Sequence, residues 1–198
     1  VNVPPPPISK VPIIKNQSTK SVHGNIPCAV EIEQAILGVL LIDTKAYDVV
    51  RNLLKSRFFY NNQHKIIYQA IVSLANKNLD IDLLTVSQEL SKKDQLVSVG
   101  GDFYLISMTQ RVSSSAHIEY WTRIIIQKYI LRKLIKNAEN TIEHSYNSDP
   151  DVFEIMESIE NEIADINKNI VQEVKGQESN AKEELFNKVK AVLAGESP

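Results

Sequence analysis

The stretch from Ile118 to Ser145 contains neither glycine nor proline and is rich in good helix formers, which commits it to one long helix. Tyr146-Asn147-Ser148-Asp149-Pro150-Asp151 breaks the run, and a second helical pattern follows. There Val152, Met156, Ile159, Ile163, Ile166 and Ile170 recur at alternating spacings of four and three. That is a sustained 3.5-residue period, the seam of a helix that packs against another helix. Leu131, Ile135, Ala138 and Ile142 answer it at the same spacing in the first run. Two long helices with facing apolar stripes and a short loop predict an antiparallel hairpin.

Charge supports the pairing. Arg123, Lys128, Arg132, Lys133 and Lys136 lie on the first helix, with Glu139 and Glu143 nearer its end; Glu154, Glu157, Glu160, Glu162 and Asp165 lie on the second. A mostly basic helix beside a mostly acidic one favours that partner over its own copy, although exposed pairs contribute only about 0–1 kcal/mol each. At about 1.5 Å per residue the first helix is on the order of 40 Å long. A rod of that length outreaches a small core, so part of its stripe is expected to seek a partner. The alternative is an ordinary long helix buried within its own domain.

With 198 residues there is room for one sizeable domain and appendages. No apolar run approaches the roughly 18 residues of a membrane span. Cys28 is the single cysteine, which excludes an internal disulfide framework and suits a reducing cytosol. A formal net charge of -2 argues against strong sequence-independent DNA binding by this chain alone. Residues 1–26, with Pro4 to Pro7 and then Ser, Thr, Lys, Asn and Gln, read as a disordered arm with little to bury.

The segment 27–112 reads as a globular helical subdomain. Ile32, Ala35, Ile36, Val39 and Leu40 mark one face of a first helix, with Glu31 and Glu33 in the first turn, where the helix dipole favours carboxylates. A short helix is predicted over Ala46–Leu54, and Phe58, Phe59 and Tyr60 supply an aromatic core cluster. A third helix covers Gln63–Asn76 through Ile67, Ala70, Ile71 and Leu74. Asp82 is the expected N-cap of a fourth, running to about Leu90. Gly100-Gly101 precedes a short helix with Phe103, Tyr104, Leu105 and Met108, and Ser113 to Ser115 are placed to cap the long helix. No segment alternates like a surface strand, so the class is all-α. The hairpin occupies 113–171. Residues 172–198 then form a linker, in which Asn180 and Glu183 satisfy capping-box spacing ahead of a last helix. Its apolar stripe, Leu185, Phe186, Val189, Val192 and Leu193, implies a docking surface elsewhere, because so short a helix is marginal alone. The chain stops at Gly195-Glu196-Ser197-Pro198, turn material, and is expected to be a truncated protein.

Catalytic motifs are missing from the sequence. A P-loop needs spaced glycines before Lys-Ser or Lys-Thr, and neither Lys20-Ser21 nor Lys55-Ser56 has them. His23, His64, His117 and His144 lack the spacing or cysteine partners of a zinc site and read as surface or packing residues. The many carboxylates fall on helix faces expected to be solvated. From the residues alone the chain is a helical interaction module with a linker helix, and no active-site, cofactor or metal residues are assigned.

The ordered set of local patterns resembles the N-terminal region of DnaB-type replicative DNA helicases. Pro27 followed by Glu31-Ile32-Glu33-Gln34-Ala35-Ile36-Leu37-Gly38 is similar to that family's opening helix, and Phe59-Tyr60 with His64, Ile67 and Tyr68 to its next signature. Ile81-Asp82-Leu83-Leu84-Thr85-Val86 and Val99-Gly100-Gly101 with Tyr104-Leu105 follow in the same order. The resemblance departs at Ala29, where a capping residue is usual, and at Trp121, where a smaller side chain is expected. It implies a ring-forming, ATP-driven helicase acting in the bacterial cytoplasm, with ATP and Mg expected for a RecA-like motor domain beyond Pro198. The present chain would be its N-terminal collar and linker. In the family such collars pair through their hairpins, dimers assemble as a trimer, and the linker helix docks on the neighbouring motor. Contacts with DnaG-type primase and with helicase loaders are implied as well, with DNA held mainly by the motor domain. A helical adaptor unrelated to replication and a stand-alone DNA-binding module using Lys128, Arg132, Lys133 and Lys136 are the two rival readings.

Overall fold

The computed structural model describes residues 24–112, 114–147 and 151–168. Residues 1–23 of the expected arm, Ser113, Ile170 and the stripe of the linker helix from Leu185 to Leu193 therefore lie outside the described residues. Among the described residues seven α-helices follow in order: α1 (Val30–Ile42), α2 (Ala46–Val50), α3 (Asn62–Asn76), α4 (Leu83–Lys92), α5 (Gly101–Thr109), α6 (Ile118–Ser145) and α7 (Val152–Ile166), with a 3-10 turn at Ser56–Phe58 between α2 and α3. No strand forms among the described residues, and the all-α expectation holds.

The core is built around α1. The periodicity predicts one apolar face, yet every residue from Ile36 to Leu41 is buried. The helix is enclosed because α5 packs on one side and the first half of α6 on another. Gly38 makes the first of these approaches possible. A Cβ at that position would fall far inside contact distance of the Met108 carbonyl oxygen and 3.0 Å from Val112 Cγ2. Ile67, Ile71 and Leu74 of α3, Val86 and Leu90 of α4, Leu105 and Met108 of α5, and Ile118, Ile125 and Ile126 of α6 complete the cluster.

Local signals explain most helix ends. Asp82 accepts from Thr85 N at 2.8 Å while Thr85 Oγ1 accepts from Asp82 N at 3.0 Å, a reciprocal box that starts α4 as expected. Gly100 and Gly101 both have positive φ, at 102° and 70°, and turn the chain into α5. Ala29 offers α1 no side-chain cap, in line with the missing capping residue. Three expectations fail. Helix α2 stops at Val50 rather than Leu54, because Leu53 N and Leu54 N both bond to the Val50 carbonyl in a turn that sinks both leucines into the core. Helix α6 begins after His117 with no side-chain cap; Ser114 Oγ instead accepts from Ala116 N, and the Ser115 carbonyl accepts from Ile118 N. Tyr60 is exposed, unlike the buried Phe58 and Phe59, while Trp121 packs half-buried against the core without disturbing α6.

Two buried carboxylates also correct the reading of the acidic residues as solvated. Glu33 of α1 is covered by core. Its Oε1 accepts from Tyr60 N at 2.5 Å, and its Oε2 accepts from Asn61 N at 3.2 Å and from His64 Nδ1 at 2.7 Å. His64 Nε2 lies 2.9 Å from the Tyr104 hydroxyl, which accepts from Gln34 Nε2 at 3.0 Å. A neutral His64 protonated at Nδ1 satisfies every partner: the amide of Gln34 donates to Tyr104, Tyr104 to Nε2, and Nδ1–H to the carboxylate. The chain of bonds pins α1 to α3 and α5. Glu89 of α4 is held the same way against α3, accepting from Ser73 Oγ at 2.8 Å, Lys77 Nζ at 2.9 Å and Lys93 Nζ at 3.1 Å.

These clusters carry two predictions. Glu33→Ala orphans two backbone N–H groups and the Nδ1–H of His64, each at about 1–3 kcal/mol. Urea denaturation should show a loss of several kcal/mol, and an unchanged midpoint would refute the network. The lysine and serine donors hold the Glu89 carboxyl at about 2, below its ordinary 4.5. Its stabilising contribution is therefore complete above pH 4.5 and lost as pH falls towards 2. In Glu89→Gln the fall of stability across that window should be shallower, as followed by thermal unfolding at a series of pH values.

Candidate protein interface

The hairpin predicted from Ile118 to Ile170 is present as far as it is described, with α7 folded back along α6. Asp151 caps α7, its Oδ1 accepting from Phe153 N at 2.9 Å and Glu154 N at 3.2 Å, so the break is also the start signal. The base of α6 is fixed by Ile118, Thr122, Ile125 and Ile126, all buried. Arg132 marks where the helix leaves the core. Its guanidinium donates to the Pro27 carbonyl at 2.8 Å and the Phe58 carbonyl at 2.7 Å, and lies 5.4 Å from the Tyr60 ring and 5.7 Å from that of Tyr129. Burial lowers the pKa of this guanidinium, and the charge of Glu33 opposes that effect. An arginine used in this way is subtracted from the basic patch of Lys128, Arg132, Lys133 and Lys136.

The apolar stripes do not meet as one seam. In α7, Ile166 is 6% exposed and Ile159 half-buried, both turned to α6 with Ile155. The buried residue of the outer half of α6 is Asn137, whose carbonyl accepts from Thr141 Oγ1 at 2.9 Å. Leu131, Ile135, Ile142, Val152, Met156 and Ile163 instead remain between 39% and 59% exposed. At about 100° per residue, both uncovered sets are displaced round their helices from the contact line between α6 and α7. Each helix therefore keeps exposed apolar residues of its own, with Phe153 and Tyr146 exposed near the tip of the hairpin.

Half-exposed apolar side chains grouped along one helical hairpin are candidates for an interaction site. Sequence periodicity does not divide the residues that serve the fold from those left open. The signal available was the polar pair Asn137 and Thr141, spaced by four and lying between the apolar positions.

Comparison with known proteins agrees with this architecture. The sequence pattern of the DnaB-like helicase N-terminal domain matches residues 25–127. The replicative DNA helicase DnaB of Rhodothermus marinus is 39% identical over 137 residues, which are 69% of this chain and 14% of that protein. Its counterpart in Geobacillus stearothermophilus is 30% identical over 142 residues, 72% of this chain and 31% of that protein. The chain thus spans less than a third of the length of either relative. The crystal structure of the N-terminal domain of DnaB helicase from Mycobacterium tuberculosis superposes with a TM-score of 0.66 at 29% identity, covering 70% of this chain and 98% of that one. A DnaB-like replicative helicase described with its interactions with primase shares the fold, with a TM-score of 0.57 at 23% identity over 69% of this chain and 31% of that one. From the helical core, its opening motif and these matches, the chain belongs to the family of DnaB-like helicase N-terminal domains.

Proposed function

We propose that this chain is the collar of a ring-shaped replicative helicase, and that its hairpins pair between subunits to set the geometry of the ring. The observation that carries the reading is the exposure of Leu131, Ile135, Ile142, Val152, Met156 and Ile163, which the single chain leaves between 39% and 59% open. Pairing two such hairpins yields dimers; a trimer of dimers would close a hexamer. A related fold described in contact with primase supports a second role, recruitment of a DnaG-type primase to the collar, with a helicase loader as a further partner. The setting proposed is the bacterial cytoplasm; among the described residues no helix is long and apolar enough to cross a membrane.

Unwinding of duplex DNA with ATP and Mg belongs, on this reading, to the helicase as a whole. The Lys-Ser pairs of the sequence lack the spaced glycines of a P-loop. No step of that chemistry is assigned to them. The linker stripe Leu185, Phe186, Val189, Val192 and Leu193 is proposed to dock on a neighbouring subunit. The rival of a stand-alone DNA-binding module is weakened because Arg132 is engaged in the fold.

The double variant Met156→Lys, Ile163→Lys tests the pairing. Both side chains are exposed in the single chain, so melting temperature and helix content should be preserved. Burying unpaired ammonium groups costs several kcal/mol, which weakens dimerisation by at least about a hundredfold. Light scattering across a concentration series reads this directly, and unchanged self-association, or a parent chain that stays monomeric, would overturn the proposal.

A further inference from the structure

The exposed apolar residues of α6 have an order of their own. Leu131, Ile135 and Ile142 continue towards the base of the helix as Ile124, half-buried but outside the core cluster, and Tyr120, 64% exposed. At about 100° per residue these side chains fall within an arc of about 60°. The arc lies across the helix from Ile118, Thr122, Ile125 and Ile126, which are buried. Tyr146, 83% exposed at the C-cap, completes a symmetric pattern. Tyr120 with Tyr146, Ile124 with Ile142 and Leu131 with Ile135 are each centred on Lys133.

A stripe that reads alike in both directions suits its own antiparallel copy. In a two-fold pair residue i meets j and j meets i, so a crossing centred on Lys133 sets each of these apolar residues against another. Charge selects the same crossing. Lys128 and Glu139 lie about 20° apart on one border of the stripe, the border away from the buried Asn137. Neither has an ion-pair partner among the described residues. They stand about 16 Å apart along the helix at 1.5 Å per residue, so they cannot meet within one chain. The two-fold axis of an antiparallel pair is perpendicular to both helices and keeps each border on its own side. Lys128 of one copy therefore comes level with Glu139 of the other to within about 1.5 Å along the axis, and symmetry supplies the contact twice. A parallel pair would set Lys128 against Lys128 and Glu139 against Glu139.

We infer that α6 packs on α6 of a second copy in antiparallel register about Lys133, and that Lys128 and Glu139 fix this register through two reciprocal ion pairs. This rests on the reading of the hairpin as the pairing element and specifies how the copies meet.

Sedimentation equilibrium tests the register. Neither residue is buried, so Lys128→Glu and Glu139→Lys should each keep the parent's helix content. Each should weaken self-association about tenfold at low salt, because attraction turns to repulsion at two contacts. An equimolar mixture of the two variants should associate as the parent does, since both crossing pairs are again of opposite sign, and the single-variant defects should shrink at high salt. Variants that associate like the parent, or a mixture as weak as its components, overturn the register; pairing through the hairpin stands if Met156→Lys, Ile163→Lys still weakens association. A parent chain that stays monomeric overturns both.

Discussion

The enclosure of α1 is the constraint on which the remaining structure depends. A helix buried continuously from Ile36 to Leu41 must be covered from several directions, and α5, α6 and α3 are placed where they provide that cover. The close approach of α5 is possible only because Gly38 presents no Cβ to the Met108 carbonyl. Once α5 and α6 are seated on α1, the direction in which α6 leaves the core is set. The hairpin is then an extension of the core and not an independent domain tethered to it.

Buried polar groups refine this arrangement. A hydrophobic core tolerates rotation and sliding of its helices, since apolar contact is non-directional. The Glu33 carboxylate does not, because it must meet two backbone amides and the His64 ring together. Glu89 fixes α4 on α3 by the same logic, and Arg132 ties α6 to two backbone carbonyls. Together these bonds give the outer hairpin a defined bearing relative to the core.

Much of the architecture could be read from residue order. The glycine- and proline-free run to Ser145, the break at Asp149-Pro150 and the cap at Asp82 are local statements, and local physics decides them. Even the buried polar network left a trace. Glu33 precedes Ile36, Leu37 and Leu40, and His64 precedes Ile67, Tyr68 and Ile71, each at the helical spacing of an apolar stripe. A charged or imidazole side chain on such a stripe must find a partner, although periodicity does not say which. Family resemblance reached the same fold by another route, through ordered motifs that include Glu33 and His64.

Sequence alone determined that this chain is helical, where its helices lie and that two of them form a hairpin, because helix propensity, capping and apolar periodicity act within a few residues. Only the tertiary structure decided that Ile159 and Ile166 serve the fold while Val152, Met156 and Ile163 stay open. It alone paired Glu33 with a histidine 31 residues away and took Arg132 from the surface into the joint. Burial is a property of what stacks against a side chain, and the stacking partners come from parts of the chain that no local window contains.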